Sequence, residues 1–530
     1  MASKLSWDNY FKLPNRGLEA YFARVRSGSD VEYRTTFYKG RTLDQVLNKW
    51  NQILKTISKT WPTLYQYEVE LGAKVGPMSI MKPLSERIED IDSYYESILK
   101  DSIPIDDAAV SAAINWFSQG DKLAVRELAN TVEFMKKSTN SGSPYFTKRR
   151  GVVADTIPCD VWDNYQNLPT GIWGSCAILG WRGQEGGRSF DDVKQRVVWM
   201  FPFAVNAQEL RVYQPLIEMC QSHNLVPAWV SMEAVDDTIT KLFDTKGQQD
   251  LVVCTDFSKF DQHFNPSMQQ CASSILRSLL REGSEASQWM ENVFPIKYQI
   301  PLAYDWGHVR YGSHGMGSGS GGTNADETLA HRALQYEAAI KAGQELNPNS
   351  MCLGDDGILS YPGIKVEDVV SCYSSHGQDM NLDKQYASTD DCTYLRRWHH
   401  KDYRVQGVCV GVYSTNRALG RLMEQERYYD PEDWGPKMVA LRQLSILENV
   451  KYHPLREEFA TFCMKGDKYR LGIDIPGFLD DIDSIASKAT QLMPDFLGYT
   501  KSLQYEAGKR GASTGVSDWW IVKFLKSYSH

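Results

Sequence analysis

Two adjacent aspartates occupy the tip of a predicted hairpin in the stretch MCLGDDGILSY, residues 351–361. Apolar residues on both sides predict two short buried strands, and the glycines supply backbone angles that a tight turn needs. Taken alone, Gly-Asp-Asp-Gly is ordinary turn chemistry, because aspartate side chains bond readily to nearby backbone groups. Asp355 and Asp356 therefore indicate catalysis only if other parts of the chain supply partners for them.

A third carboxylate follows another predicted buried strand. The segment QDLVVCTDFSKFDQHF, residues 249–264, contains a β-branched run that ends at Asp256. If this strand neighbours the hairpin in one sheet, Asp256, Asp355 and Asp356 meet at one edge, where three carboxylates need a cation. Oxygen ligands of this kind select Mg²⁺ or Mn²⁺, and two such ions support phosphoryl transfer, the chemistry of nucleotide polymerisation. Because neighbouring strand residues face opposite ways, Asp355 is the expected ligand and Asp356 its support.

A glycine-rich loop lies between these two strands in the sequence. The segment GMGSGSGGT, residues 315–323, exposes backbone N–H groups at the start of a helix predicted near Thr323, which suits phosphate or sugar oxygens. Thr323 and Glu327 lie one helical turn apart on one face, and Asp261 is placed to face back toward the site after a turn. Each piece alone is weak, since glycine runs are more often flexible turns.

Length and composition predict one folded body that is long enough to be an enzyme. The 530 residues are 42% hydrophobic and 23% charged, which argues against extensive disorder. The net charge of -8 gives no global signal for nucleic acid, although it leaves room for a basic channel inside an acidic shell. The ten cysteines form no C-x-x-C pair, which favours free thiols in a reducing compartment over disulfides or a zinc knuckle. The amino terminus lacks the apolar core of a signal peptide, and no apolar run is long enough to span a bilayer.

The order of these segments, with four more, resembles the viral RNA-dependent RNA polymerases. The segments DFSKFD, SGSGGTNADE and GDD resemble motifs A, B and C of that family, and MNLDK and TYLRRW resemble motifs D and E. Upstream, KQRVVW resembles motif F and TNSGSPY resembles motif G. Seven motifs in family order cover residues 139–398, a series that chance does not readily assemble. Within the family, the chain most resembles the polymerases of picobirnaviruses, which are double-stranded RNA viruses.

The resemblance implies an α+β fold, the closed right-hand polymerase with fingers, palm and thumb and a small antiparallel palm sheet. Helical patterns at residues 106–137 and 430–466 agree with such a mixture. The implied domains are an N-terminal extension bridging fingers and thumb (1–100), fingers (101–250 and 267–312), palm (251–266 with motif A and 313–405 with motifs B to E) and thumb with a C-terminal tail (406–530).

The resemblance also assigns roles to single residues. Asp256, Asp355 and Asp356 correspond to the metal-binding acids that hold two Mg²⁺ or Mn²⁺ ions. Lys384 corresponds to a lysine that protonates the departing pyrophosphate, with a solvated surface lysine as the competing interpretation. Glu327 departs from the pattern, because many positive-strand relatives carry Asn there. This departure puts in doubt the usual Asp–Asn pairing for ribose selection.

Two further sets of residues are implied to contact nucleotide and RNA. Basic side chains suit the triphosphate and the RNA backbone, although most basic clusters taken alone are solvated surfaces. For the triphosphate, Arg182 and Arg188 are nearly equal alternatives as a further contact. The NTP-binding set is Lys194, Arg196, Arg188, Arg182, Asp261, Ser318, Gly319, Thr323 and Glu327. The RNA-binding set is Ser141, Gly142, Ser143, Lys148, Arg149, Arg150, Arg396 and Arg397.

The function implied is template-directed RNA synthesis by two-metal nucleotidyl transfer, serving replication and transcription of a double-stranded RNA virus genome. The expected partners are template and product RNA, NTPs and viral capsid protein, with no membrane, and the expected state is a monomer in the virion interior or the host cytoplasm. One rival is a reverse transcriptase, against which Gly354 and Thr323 speak. The other is an RNA-binding or structural protein with an inactive palm, against which the intact acids and motif F residues speak.

The C-terminal tail, EAGKRGASTGVSDWWIVKFLKSYSH, leaves two alternatives open. Its glycines predict a flexible connector, and Trp519, Trp520 and Phe524 predict an aromatic end that must be buried. This end either packs on the thumb or enters the product cavity, where aromatic rings stack on unpaired bases.

Overall fold

The structure of the chain is a computed structural model that describes residues 16–160, 176–430, 432–492 and 515–528. Helices and short strands alternate irregularly through these residues. The α+β class predicted from the sequence is confirmed.

The strands are short, as expected for small sheets packed on helices. In chain order they are β1 (Tyr33–Arg34), β2 (Ala177–Gln184), β3 (Lys194–Met200), β4 (Val252–Thr255), β5 (Leu302–Asp305), β6 (His308–Arg310), β7 (Met351–Leu353), β8 (Asp356–Leu359), β9 (Tyr386–Ser388), β10 (Asp391–Tyr394), β11 (Arg397–His400), β12 (Val412–Tyr413) and β13 (Glu424–Gln425).

Helices make up most of the remaining regular structure. In chain order they are α1 (Arg16–Ser27), α2 (Leu43–Leu54), α3 (Pro62–Lys74), α4 (Ile88–Glu96), α5 (Asp107–Phe117), α6 (Leu128–Phe134), α7 (Val153–Thr156), α8 (Phe203–Ser222), α9 (Pro227–Val230), α10 (Met232–Thr245), α11 (Pro266–Leu279), α12 (Ser284–Asn292), α13 (Ile296–Gln299), α14 (Thr323–Lys341), α15 (Val366–Ser374), α16 (Thr415–Met423), α17 (Pro436–Glu448), α18 (Arg456–Gly466), α19 (Ile482–Leu492) and α20 (Trp520–Tyr528).

Internal contacts divide the chain into two compact units. The first unit comprises the described residues of Met1–Gly28, Lys82–Arg182 and Val197–Cys392, and the second those of Ser29–Met81, Gly183–Arg196 and Thr393–His530. The first hundred residues are thus divided between both units. The finer boundaries of fingers, palm and thumb stay predictions.

The sheet that carries the predicted acids lies in the first unit. Its strand order is β7-β8-β4-β9, and all neighbours are antiparallel. All four residues of β4 are buried, because both faces of this strand are covered. Helices α5, α11 and α14 pack against one another, and α14 also packs against β7. This arrangement is the small antiparallel sheet backed by helices that the sequence predicted.

A second sheet with the strand order β3-β2-β5-β6 includes the basic motif F strand. Strands β2 and β5 are parallel, with Ala177 paired to Leu302, whereas β5 and β6 form a hairpin. Along β3, Val197 and Trp199 are buried while Lys194 and Arg196 are exposed. This alternation is the period-2 pattern of a strand with one covered face.

The second unit is built mainly from helices. Its apolar core includes side chains from α2, α16, α17 and α18, and Trp50 of α2 donates its indole N–H to Thr415 Oγ1 (2.8 Å). Buried Glu68 accepts hydrogen bonds from the Thr415 backbone N–H (3.0 Å) and from His453 Nε2 (3.1 Å). Burial opposes the charge of Glu68, but the hydrogen bonds from His453 and from the hydroxyls of Ser414 and Thr415 lower its pKa overall. The predicted helices within 430–466 are present as α17 and α18.

The end of the tail belongs to the core of the second unit. Ile521, Val522 and Leu525 of α20 are fully buried there, and Trp519 is 9% exposed. The connector that precedes it, including Gly508 and Gly511, lies outside the described residues. The burial of α20 favours packing over entry into a product cavity. Among the helices described, none is long and apolar enough to cross a membrane.

Candidate active site

Antiparallel pairing brings the predicted acids to one edge of the palm sheet. Thr255, the last residue of β4, pairs with Gly357 of β8, so the next residue, Asp256, lies toward Asp356 at the same edge. Asp256 and Asp355 are exposed, and Asp356 is partly exposed. The structure thus has the two strands side by side, as the metal-site hypothesis requires. Solvent-exposed carboxylates at one sheet edge offer the oxygen ligands that Mg²⁺ or Mn²⁺ prefers.

The hairpin turn that presents Asp355 is held by helix α14. Gly354 has φ of +58°, the left-handed conformation that a two-residue hairpin needs at its first turn position. Its backbone N–H donates to Thr328 Oγ1 (2.9 Å), and its carbonyl accepts from His331 Nδ1 (2.8 Å). Both backbone groups of Gly354 are therefore fixed from one face of α14.

His331 is a structural support held in its neutral form. Burial lowers the pKa of its imidazole to about 4, so the ring is uncharged at neutral pH. Since a carbonyl only accepts, the bond to Gly354 places the proton on Nδ1. The ring occupies the space beside Gly357, where a methyl group would lie 2.6 Å from His331 Cε1. The glycine that follows the two aspartates is thus required by this close packing.

Glu327 lies beneath the same turn. It is 5% exposed, and a methyl group on Gly354 would lie 3.4 Å from its Oε2 atom. Thr323, one turn earlier in α14, donates its hydroxyl to the Gly317 carbonyl (3.1 Å). The predicted pair thus connects the glycine-rich loop on one side with the aspartate hairpin on the other.

Asp256 is fixed through its backbone by a residue that the sequence argument did not select. The Asp256 N–H donates to Gln385 Oε1 (2.7 Å), and Gln385 Nε2 donates to the Asp256 carbonyl (2.9 Å). Gln385 directly follows Lys384, which is exposed at the end of the 3-10 helix Leu382–Lys384. Motif D is thereby attached to motif A.

Asp261 connects motif A to the start of the glycine-rich loop. Its carbonyl accepts the Met316 N–H (2.8 Å), and its side chain is partly exposed. Ser318 and Gly319 of the loop then pack against strand β3. The Ser318 Oγ atom accepts a hydrogen bond from the Trp199 N–H (3.3 Å). A methyl group on Gly319 would lie 1.6 Å from the Trp199 carbonyl oxygen, so only glycine fits there.

The two alternative arginines near motif F have different surroundings. Arg188 donates from Nε to Asp44 (2.8 Å) and from Nη1 to the Gly72 and Val75 carbonyls, all within the second unit. Arg182 is exposed at the β2 end. These bonds occupy the Nε and Nη1 atoms of Arg188, and the choice between the two arginines as the triphosphate contact stays a prediction.

The predicted RNA-binding residues of motif G divide into inward and outward groups. Ser141 and Ser143 are buried, and Ser143 Oγ donates to the Cys176 carbonyl (2.8 Å). Arg149 also turns inward, where burial lowers its pKa to about 10 and its guanidinium lies over the Phe203 ring. The exposed members are Lys148 and Arg150.

Motif E forms a tight turn between β10 and β11. Leu395 and Arg396 both have positive φ, 53° and 61°, which is the conformation of a two-residue hairpin turn. Arg396 is exposed, and Arg397 is partly exposed and pairs with Tyr413 of β12. Both arginines belong to the second unit.

Sequence reasoning missed the residues that hold the acids in place. Thr328 and His331 follow Thr323 and Glu327 on α14, so the helical spacing of that face was an available signal. Gln385 offered only its position next to Lys384. Another missed residue is Glu209, whose carboxylate contacts the glycine-rich loop and is described below.

Comparisons with known proteins agree with this geometry. The sequence model of the viral RNA-dependent RNA polymerase family matches residues 181–416. The chain is 63% identical over 526 residues to a potential RNA-dependent RNA polymerase of a human picobirnavirus (strain Human/Thailand/Hy005102/-), covering 98% of each chain. It also matches the crystal structure of a human picobirnavirus RNA-dependent RNA polymerase, with 61% identity, 99% coverage of both chains and a TM-score of 0.92. An insertion-loop deletion mutant of a human picobirnavirus polymerase matches with 58% identity, 99% coverage of both chains and a TM-score of 0.90. The likeness confirms the predicted right-hand polymerase fold.

Proposed function

Because the chain belongs to the viral RNA-dependent RNA polymerases, with picobirnavirus polymerases among its relatives, we propose that it extends RNA by two-metal-ion nucleotidyl transfer. The observation that carries this mechanism is the pairing of Thr255 with Gly357, which brings Asp256 to the edge that carries Asp355 and Asp356. When bound, two divalent ions stabilise the attacking and the leaving oxygen of phosphoryl transfer. Asp256 and Asp355 would hold these ions, with Asp356 in support.

The remaining residues of the site bind and orient the nucleotide. Lys194 and Arg196 project from the exposed face of β3 and bind the triphosphate through charge-assisted hydrogen bonds. Asp261, Thr323 and Glu327 surround the ribose and select for its 2′-hydroxyl. Lys384 donates a proton to the departing pyrophosphate, and its exposed position leaves it able to approach.

In this proposal the basic residues of motifs G and E contact RNA. Lys148 and Arg150 contact the template backbone, and Arg396 with Arg397 supports the end of the growing strand. The enzyme acts as a monomer, replicates and transcribes a double-stranded RNA genome, and works beside the capsid protein in the virion interior or in the host cytoplasm.

The deciding experiment measures labelled UTP incorporation by the full-length chain on an RNA template with Mg²⁺ or Mn²⁺. An RNA product of template length that forms only when template and metal are both present supports the proposal. Preference for dUTP over UTP would instead identify a reverse transcriptase. Binding of RNA without any incorporation under either metal would identify an inactive palm and refute the mechanism.

A further inference from the structure

A buried carboxylate on helix α8 accepts hydrogen bonds from the glycine-rich loop. Glu209 lies on α8, is fully buried, and accepts hydrogen bonds from the Ser320 hydroxyl and from the Gly321 N–H (3.1 Å). Both donors lie between Ser318 and Thr323, the loop residues predicted to contact the nucleotide. Glu209 is thus a direct link between helix α8 and this part of the loop.

Other charged and titratable groups face Glu209 from the neighbouring elements. With its amide oriented to satisfy both neighbours, Asn206 donates to Glu209 Oε1 (2.9 Å) and accepts from Arg149 (2.7 Å). Buried Lys297 attracts the carboxylate and is itself paired with Asp326 (3.0 Å). The remaining titratable neighbours are Asp326, which repels the charge of Glu209, and Tyr213, whose hydroxyl donates to Asp326 (2.7 Å).

The charge of Glu209 depends on the position of the loop. Burial raises the pKa of Glu209 to about 7, although Lys297 and the bonds from Ser320 and Gly321 oppose this rise. A loop that moves away removes two of the interactions that stabilise the buried charge. Conversely, a protonated carboxyl group is a weaker acceptor for the same two donors.

Close packing against the neighbouring elements restricts the position of the glycine-rich loop. A methyl group on Gly319 would strike the Trp199 carbonyl, and one on Gly322 would lie 2.3 Å from the Tyr213 ring. The loop therefore fits closely between β3 and α8, and its position is set by bonds at both ends. On the β3 side the bond is made by Ser318, and on the α8 side by Ser320 and Gly321.

We propose that Glu209 is a positioning residue for nucleotide addition: its carboxylate fixes Ser320 and Gly321 and thereby places Ser318 and Thr323 at the nucleotide. This inference rests on the proposed function. It predicts that loss of the carboxylate raises the KM for NTP more than it lowers kcat. It also predicts that nucleotide addition weakens as the pH falls below about 7, because protonation releases the loop.

The test uses Glu209→Gln in the full chain, with Glu218→Gln as the matched control. Glutamine keeps the size of the side chain, removes its charge and replaces one acceptor oxygen with an NH₂ donor. Glu218 lies on the same helix and is exposed. We expect a roughly tenfold rise in NTP KM for E209Q, the cost of weakening charged hydrogen bonds by about 1.4 kcal/mol. The acid limb of kcat/KM near pH 7 should disappear in this variant and persist in E218Q.

Two further measurements separate positioning from a general loss of structure. Ser320→Ala removes one loop donor without touching α8 and should also raise the NTP KM. Amide hydrogen exchange should show faster exchange at Gly321 in E209Q, with an unchanged melting temperature and unchanged RNA binding. A wild-type NTP KM and pH profile in E209Q would overturn the inference while leaving the polymerase intact. Absence of RNA synthesis by the wild-type chain would refute the proposed function itself.

Discussion

Gln385 binds both backbone groups of Asp256, accepting from its N–H (2.7 Å) and donating to its carbonyl (2.9 Å). The same amide also donates to the Asn381 carbonyl (2.9 Å), so one side chain links the motif D turn to the end of β4. An acid proposed to hold a metal must be placed accurately, and for Asp256 a neutral side chain distant in sequence fixes the backbone.

Gln385→Ala should lower kcat by roughly ten- to a hundredfold with little change in NTP KM, because a small displacement of Asp256 affects the chemical step. Gln385→Glu is the informative partner: it still accepts the Asp256 N–H but cannot donate to the carbonyl, and it should give an intermediate kcat. Single-turnover incorporation measures this directly. Equal kcat in Q385A and the wild type would mean that β4 alone positions Asp256.

Asp355→Ala should reduce RNA synthesis about a thousandfold or more, since loss of a metal ligand removes several kcal/mol of transition-state stabilisation. RNA binding should be nearly unchanged, because Asp355 carries no positive charge that could bind an RNA phosphate. Filter binding and primer extension on the same preparation check both expectations. Turnover close to wild type would refute the metal-ligand assignment.

Glu327→Ala should lower discrimination between UTP and dUTP by roughly tenfold, the value of one hydrogen bond of about 1.4 kcal/mol. The buried position of Glu327 between the loop and the Gly354 turn makes it a suitable acceptor near the ribose. The ratio of kcat/KM for the two nucleotides is the measurement, and Glu327→Gln tests whether charge is required. If discrimination stays constant while both rates fall, Glu327 supports only the hairpin.

The acids and the start of α14 were predictable because their signals are local. A β-branched run ending at Asp256, a glycine-bounded turn at Asp355 and a glycine-rich loop before Thr323 each specify structure within a few residues. Gln385 and Glu209 carry no such signal, since their roles arise from partners more than one hundred residues away. Arg188 and Arg149 illustrate the same limit: sequence marks them as basic but does not reveal that their guanidinium groups bond internally.

Glu337 should make the stability of the chain depend on pH under acidic conditions. Burial opposes its charge, but bonds from His376 (2.6 Å), the Asp106 N–H (2.8 Å) and Lys341 (3.0 Å) lower its pKa to about 2. Because the pKa is lower in the folded chain than the unfolded value near 4.5, this stabilisation is complete above about pH 5. It is lost as the pH falls toward 2.

The lowering of the Glu337 pKa corresponds to about 3 kcal/mol of unfolding free energy at neutral pH. Glu337→Gln should remove roughly this amount and flatten the dependence of stability on pH between 5 and 2. Denaturant unfolding at several pH values measures both effects, and exposed Glu282→Gln is the control. A parallel decline of wild type and E337Q in acid would assign the acid sensitivity to other groups.

Removal of residues 516–530 should destabilise the second unit and should not act on initiation alone. Burial of Ile521, Val522 and Leu525 contributes roughly 1.5–3 kcal/mol each, and Glu448 accepts the N–H groups of Trp520 (3.2 Å) and Ile521 (3.1 Å) at the start of α20. We therefore expect a lower melting temperature and a proportional loss of initiation and elongation. Leu525→Ala should reproduce part of the loss of stability, by about 2–5 kcal/mol, because it leaves a cavity in the same core.

Truncation after Tyr505 also removes the connector outside the described residues, so comparing the two truncations separates the connector from α20. A change in the initiation-to-elongation ratio only in the longer deletion would assign that effect to residues 506–515, whereas a stable chain lacking 516–530 would show that α20 contributes little to the core.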